Sequence, residues 1–60
     1  MIVGTCYRDS KGNNFIVENT FSTSEGHWVR YYNKETKQAY ECLQPAFLER
    51  FTLFNNYRYY

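Results

Sequence analysis

The side chains that could carry chemistry in this 60-residue chain are few and widely spaced. His27 is the single histidine, and Cys6 and Cys42 are the two cysteines. A nucleophile needs a base within hydrogen-bond reach, and the strand pairing predicted below places His27 across from Cys42. No third group is available to orient the pair, so we interpret it as a contact at a strand end and not as a catalytic dyad.

The sequence predicts no cofactor or metal site either. A zinc site needs three or four ligands, which one histidine and two distant cysteines do not supply. The three glycines stand singly, at positions 4, 12 and 26, so no glycine-rich phosphate loop is present, and paired carboxylates are absent too. We therefore expect a protein that is not an enzyme and holds neither metal nor cofactor.

One set of side chains favours binding. Trp28, Arg30 and Tyr32 alternate along one β-prone run, so they would share a face of a strand. Trp, Tyr and Arg dominate protein-binding hot spots, and an arginine between two aromatic rings can stack on either ring. The predicted partner-binding residues are Trp28, Arg30, Tyr32, Lys37 and Glu41. The alternative is that Trp28 belongs to the core.

These residues must be positioned by a β-hairpin. Residues 27–32 and 37–43 are β-prone runs, and the polar residues 33–36 between them predict a four-residue turn. That turn would place Tyr32 opposite Lys37, and His27 opposite Cys42.

The same pairing separates two faces of the hairpin. The more apolar face carries Val29, Tyr31 and Tyr40, which we expect to be buried. Trp28, Arg30 and Tyr32 would lie on the opposite face.

The rest of the chain predicts a small β domain. Residues 5–8 and 14–19 read as strands around a turn at 9–13, and Ser, Thr and Gly dominate a polar loop at 20–26. Pro45 is well placed to start a helical turn at 44–50, where Phe47 and Phe51 would share a face. Residues 51–54 follow as a last strand.

The predicted fold class is mostly β: a five-stranded antiparallel SH3-like barrel with one short helical turn before the last strand. We expect a single domain over 1–60, with an ordered core at about 4–54 and a tail at 55–60.

Composition narrows the function. Aromatic residues make up 22% of the chain, which gives so short a domain apolar area for a core. The net charge of +1 does not indicate a surface that binds polyanions, because nucleic-acid affinity depends on unopposed Lys and Arg.

No run approaches the ~20 apolar residues of a membrane-spanning helix. Two cysteines are too few for a secreted disulfide scaffold, so we expect a cytoplasmic protein with reduced thiols.

Two short motifs resemble known families. Tyr7-Arg8-Asp9-x-x-Gly12 before an apolar strand resembles the start of small phage and prophage proteins of unknown function, and Cys42-Leu43-Gln44-Pro45, followed by Phe47 and Phe51, is similar to their ending. A second family of unknown function is similar at Tyr7, Arg8, Lys11, Gly12 and Asn13, and at Trp28-Val29-Arg30. The Ser/Thr-rich loop and the aromatic tail depart from the first family. The resemblance implies a phage-type small β domain, in a host bacterial cytoplasm, with no assigned activity.

Two functions from different classes remain. The first is a phage or prophage accessory protein that acts as a protein-interaction module and modulates a host or phage protein. The alternative is a small barrel that binds single-stranded nucleic acid by stacking bases on its aromatic residues, including those of the tail, Tyr57-Arg58-Tyr59-Tyr60. Exposed aromatic residues on a small sheet would equally suit a homodimer.

Overall fold

The computed structural model describes residues 2–55 of the chain. This range contains β1 (Cys6–Arg8), β2 (Asn14–Thr23), β3 (Gly26–Asn33), β4 (Ala39–Leu43), α1 (Gln44–Arg50) and β5 (Thr52–Asn55). The strands form one antiparallel sheet in the order β4-β3-β2-β1-β5. The mostly-β class with five antiparallel strands and one short helix is confirmed. The described strands form an open sheet with β4 and β5 at its edges, and not a closed barrel.

Helix α1 spans residues 44–50 as predicted and carries the chain from the β4 edge to the β5 edge. Pro45 lies in its first turn, where a missing N–H costs nothing. Phe51 ends it in an extended conformation, and its N–H donates to the Phe47 carbonyl oxygen at 2.9 Å. Within residues 2–55, this seven-residue segment is the longest helix, and no helix there has the length and apolarity that crossing a bilayer requires.

The core lies between α1 and one face of the sheet. Six buried side chains form it: Phe15, Val17, Val29, Tyr31, Phe47 and Phe51. The rings of Phe47 and Phe51 share a face as predicted, with centroids 4.5 Å apart, and Tyr31 lies 4.9 Å from Phe47. Close ring contacts of this kind add to the burial of apolar area.

The predicted burial of Val29 and Tyr31 is confirmed, but that of Tyr40 is wrong. Tyr40 lies on the same face and packs 5.6 Å from the Tyr31 ring, yet 40% of its surface is exposed. The reason is its position on the edge strand β4, where no further strand covers its outer side.

The turn at residues 9–13 forms as predicted. Asp9 organises it, because its carboxylate accepts hydrogen bonds from the backbone N–H groups of Lys11 and Asn13 at 2.9 Å and from the Asn13 amide at 3.1 Å. Gly12 takes a φ of +88°, which only glycine adopts without cost. Arg8 does not join the turn but donates to Asn14 Oδ1 across the hairpin, at 3.1 Å.

The polar loop predicted at residues 20–26 is wrong. β2 continues to Thr23, and residues 24 and 25 alone form a tight turn into β3. β2 and β3 pair along their whole length except at a bulge between Val17 and Asn19. Strand pairing outweighs the low apolar content of this segment, because its backbone N–H and C=O groups that point toward β3 find partners there.

The predicted turn between β3 and β4 is displaced by one residue. Asn33 belongs to β3 and pairs with Gln38, so the loop is residues 34–37. Tyr32 therefore lies opposite Ala39, and Val29 lies opposite Cys42. The pairing moves by two residues, which leaves each side chain on its predicted face because the side-chain period of a strand is two.

Candidate functional site

Trp28 is held in place on the side of the β3–β4 pair that points away from α1. We call this side the outer face; its residues on the two strands are Trp28, Arg30, Tyr32, Ala39, Glu41 and Leu43. Trp28 is partly buried, and its ring stacks on Phe21 of β2 with centroids 6.2 Å apart and planes 4° apart. Its Nε1–H donates to Thr23 Oγ1 at 2.7 Å. The indole is therefore held both at its ring face and at its N–H.

Arg30 lies at the centre of the outer face between two carboxylates. Its Nε donates to Glu18 Oε1 at 3.2 Å, and its Nη1 donates to Glu41 Oε2 at 3.1 Å. The hydrogen bonds that the guanidinium donates to Glu41 and Glu18 raise its pKa further above the ordinary value. Glu18 reaches Arg30 because it lies in the bulge of β2. Arg30 was predicted to stack on Trp28 or Tyr32, but the structure shows it in these two ion pairs instead.

Tyr32 and Lys37 mark the other end of the outer face. Lys37 lies in the loop before β4, and its Nζ is 5.9 Å from the centre of the Tyr32 ring. The five predicted partner-binding residues thus lie along one continuous surface: Trp28, Arg30 and Tyr32 on β3, Glu41 on β4 and Lys37 beside Tyr32.

Sequence reasoning missed three residues of this surface. Phe21 and Thr23 fell in the predicted loop, and Glu18 was placed at the end of a shorter strand. The composition of residues 19–23, in which Phe21 is the one apolar residue, carried no clear strand signal. The bulge that turns Glu18 toward Arg30 had no signal in the sequence.

The structure separates the two side chains that the predicted pairing joined. His27 Nδ1 lies 2.8 Å from Ser22 Oγ on β2, whereas Cys42 lies opposite Val29 and packs against the core. Among residues 2–55, no group of three His, Cys, Asp or Glu side chains is placed to hold a metal ion.

Both thiols are free and poorly suited to nucleophilic chemistry. Burial raises the pKa of Cys6, against the weaker opposing effect of the Lys34 and Arg8 charges. Burial also raises the pKa of Cys42. A raised pKa leaves less of the reactive thiolate at neutral pH.

The predicted stacking residues Tyr57 to Tyr60 lie outside the described residues. Comparison with known proteins gave no match: no family model, no curated protein and no solved structure is significantly similar to this chain. The geometry of the outer face is therefore the basis for a functional proposal.

Proposed function

We propose that this chain is a non-catalytic protein-interaction module that binds its partner through the outer face. The observation that carries the proposal is the fixed position of Trp28, stacked on Phe21 and hydrogen-bonded to Thr23 before any partner arrives. An aromatic side chain that is ordered in advance loses little conformational entropy on binding. Trp28, Arg30 and Tyr32 also supply the three residue types that contribute most to protein-binding hot spots.

The charge arrangement supports a protein partner over single-stranded nucleic acid. Arg30 is balanced by Glu18 and Glu41, so a phosphate group would have to displace a carboxylate to reach it. Counterion release, which supplies most non-specific nucleic-acid affinity, needs cations that are not already paired. The nucleic-acid alternative is therefore the weaker one.

The biological setting and the finer fold are part of the same proposal. We propose a small phage or prophage accessory protein, supported by the resemblance at Tyr7-Arg8-Asp9-x-x-Gly12 and at residues 42–45. The strand order β4-β3-β2-β1-β5, with α1 before β5, supports an SH3-like arrangement.

The test compares immobilised wild-type chain with Trp28→Ala and Leu48→Ala in affinity capture from bacterial lysate. Leu48 is 55% exposed on α1 and is not one of the outer-face residues, so its truncation is the matched control. We expect a protein retained by the wild type and by Leu48→Ala but lost with Trp28→Ala, whose thermal unfolding transition persists. Equal retention by all three proteins would contradict the proposal, and loss of the transition in Trp28→Ala would show that Trp28 is a core residue.

A fluorescence titration against labelled single-stranded DNA distinguishes the alternative. Binding that weakens steeply between roughly 50 and 200 mM salt would support a nucleic-acid function. We expect no binding at micromolar protein concentrations.

A further inference from the structure

The β4 strand presents an open hydrogen-bonding edge. Two neighbouring backbone groups show which residues bond to which strand. Asn33 N–H donates toward the β4 side, to the Gln38 carbonyl oxygen at 2.9 Å, whereas Lys34 N–H donates toward the β2 side, to the Asn14 carbonyl oxygen at 2.9 Å. Backbone groups of an antiparallel strand point alternately to its two neighbours. Tyr40 and Cys42 therefore bond to β3, whereas the N–H and C=O groups of Ala39 and Glu41 point away from it. Since β4 is an edge of the sheet, these groups face outward.

A cleft of about 540 Å³ lies on the α1 side of the sheet and reaches this edge at Tyr40. Its floor is aromatic and is formed by Phe15, Tyr31, Tyr40 and Phe51. The turn at residues 9–13 and the end of α1 form its rim, where Asp9 and Glu49 are offset by Lys11 and Arg50. The exposed face of Tyr40 opens onto it, so an apolar side chain next to β4 would be covered by aromatic rings rather than by unpaired charge.

We propose that β4 binds an extended peptide as a sixth strand, with apolar side chains over the cleft and a Lys or Arg opposite Glu41. Strand addition at a sheet edge takes its affinity from main-chain hydrogen bonds and its specificity from alternate side chains. Tyr40 and Cys42 set the apolar side, because Tyr40 lines the cleft and Cys42 packs against the core. Glu41 sets the charged side. Its carboxylate is 44% exposed and pairs with Arg30, but Arg30 is shared with Glu18, so the three side chains keep one net negative charge and a cation directly opposite Glu41 is favourable.

The charge on Glu41 also argues against a second copy of this chain as the occupant. Antiparallel pairing of all five β4 residues with themselves places Glu41 directly opposite the Glu41 of the second copy. Like charges in that position are destabilising. A partner peptide of about five residues, ~17 Å long, fits the strand without this penalty.

The site shares Glu41 with the outer face, but its main-chain groups and its cleft do not involve Trp28. Trp28→Ala is therefore a control that should leave peptide binding unchanged. Failure of one proposal leaves the other standing.

The test uses the peptide acetyl-Thr-Val-Lys-Phe-Thr-amide, in which Lys would face Glu41, and Phe would face Tyr40. Titration into ¹⁵N-labelled chain is expected to shift the amide signals of Ala39 and Glu41 most. A matched peptide with Glu in place of Lys should bind about fivefold more weakly. The same Lys peptide methylated on its Lys backbone nitrogen, which cannot make the central main-chain bond, should bind about tenfold more weakly.

Two chain variants complete the test. Ala39→Pro removes an N–H that points away from β3, so the fold should persist while peptide binding is lost. Glu41→Gln should bring the Lys and Glu peptides to equal affinity. Absence of saturable binding at about 1 mM peptide, or binding unaffected by N-methylation and by Ala39→Pro, would overturn the proposal. A dimer in sedimentation that Ala39→Pro disrupts would overturn it in favour of a second copy.

Discussion

A single asparagine decides how β3 and β4 pair. Asn33 Oδ1 accepts hydrogen bonds from the backbone N–H groups of Glu35 and Thr36, at 2.8 and 3.0 Å. These bonds keep Asn33 at the end of the strand and start the turn one residue later than the composition suggests. This turn strains the backbone at Lys37, which closes the loop with a φ of +67°.

Replacement of Lys37 by glycine is expected to stabilise the domain. A non-glycine residue in the left-handed region costs roughly 1–2 kcal/mol, and glycine removes that strain while losing some chain entropy and the distant Tyr32 contact. We expect Lys37→Gly to raise the free energy of unfolding by about 0.5–1 kcal/mol, measured by urea denaturation. Gly12→Ala, the reverse change at a φ of +88°, is the control and should be destabilising. A loss of stability in Lys37→Gly would contradict the assigned turn.

Asp9 predicts a pH dependence of stability. Partial desolvation raises the pKa of the Asp9 carboxyl group. Hydrogen bonds from Asn13 and Lys11 outweigh this effect, so the pKa is lowered overall. Because the folded pKa lies below the ordinary value of about 3.9, the stabilisation is fully present above that value and is lost as the pH falls through the folded pKa. Urea denaturation between neutral pH and about pH 3 should show this loss.

The matched variants isolate the charge of Asp9 from its hydrogen bonds. Asp9→Ala removes both and should flatten the acid limb of the stability profile while destabilising the domain at neutral pH. Asp9→Asn keeps one acceptor oxygen and should lie between Asp9→Ala and the wild type at neutral pH. An unchanged acid limb in Asp9→Ala would assign the acid sensitivity to other carboxylates.

At the scale of the element, α1 is fixed by one side chain more than by its helix propensity. Seven residues are too few for a helix that is stable alone, so its docking on the sheet must hold it. Phe47 is completely buried among Tyr31, Phe51 and Tyr7, and the next residue, Leu48, is 55% exposed.

Phe47→Ala is therefore expected to cost about 3–5 kcal/mol. A 60-residue domain has roughly 3–9 kcal/mol in total, so this variant should show a severely weakened urea transition or none. Leu48→Ala should change stability by about 0.5 kcal/mol or less. Equal effects of the two substitutions would show that α1 is not docked through Phe47.

The strands show where local pattern stops being informative. The apolar run of residues 15–17 predicts β2, and the alternation of Val29 and Tyr31 predicts the buried side of β3. The second half of β2 carries Asn, Thr and Ser, and only its pairing with β3 makes it a strand. The aromatic pair of Phe21 and Trp28 depends on that pairing, so it could not be predicted with a loop at residues 20–26.

At the scale of the molecule, the sheet keeps its two cysteines apart. Cys42 packs on the α1 side against the core. Cys6 is fully buried opposite Ile16, next to Tyr7, which packs on the α1 side; the alternation of β1 therefore puts Cys6 on the other side. The two thiols cannot join without unfolding of the sheet.

Thiol labelling should therefore report global unfolding. With both thiols buried to different degrees and both pKa values raised, Ellman's reagent at neutral pH is expected to react slowly with the native chain, slowest at Cys6, and rapidly with both thiols in denaturing urea. Cys6→Ala and Cys42→Ala assign each phase. Rapid native labelling of the Cys42→Ala variant would show that the Cys6 side of the sheet opens locally.

The sequence by itself determined the strand and helix order, the position of α1 and the two faces of β3 and β4. These features depend on alternation and on the spacing of Phe47 and Phe51, which are local properties. Only the tertiary structure decided that the sheet is open, that Tyr40 lies at an exposed edge, that β2 runs on to Thr23 and that Arg30 is paired with Glu18 and Glu41. The physical reason is that edge position, bulges and cross-strand partners arise from which strands come together, and residues distant in the chain supply those contacts.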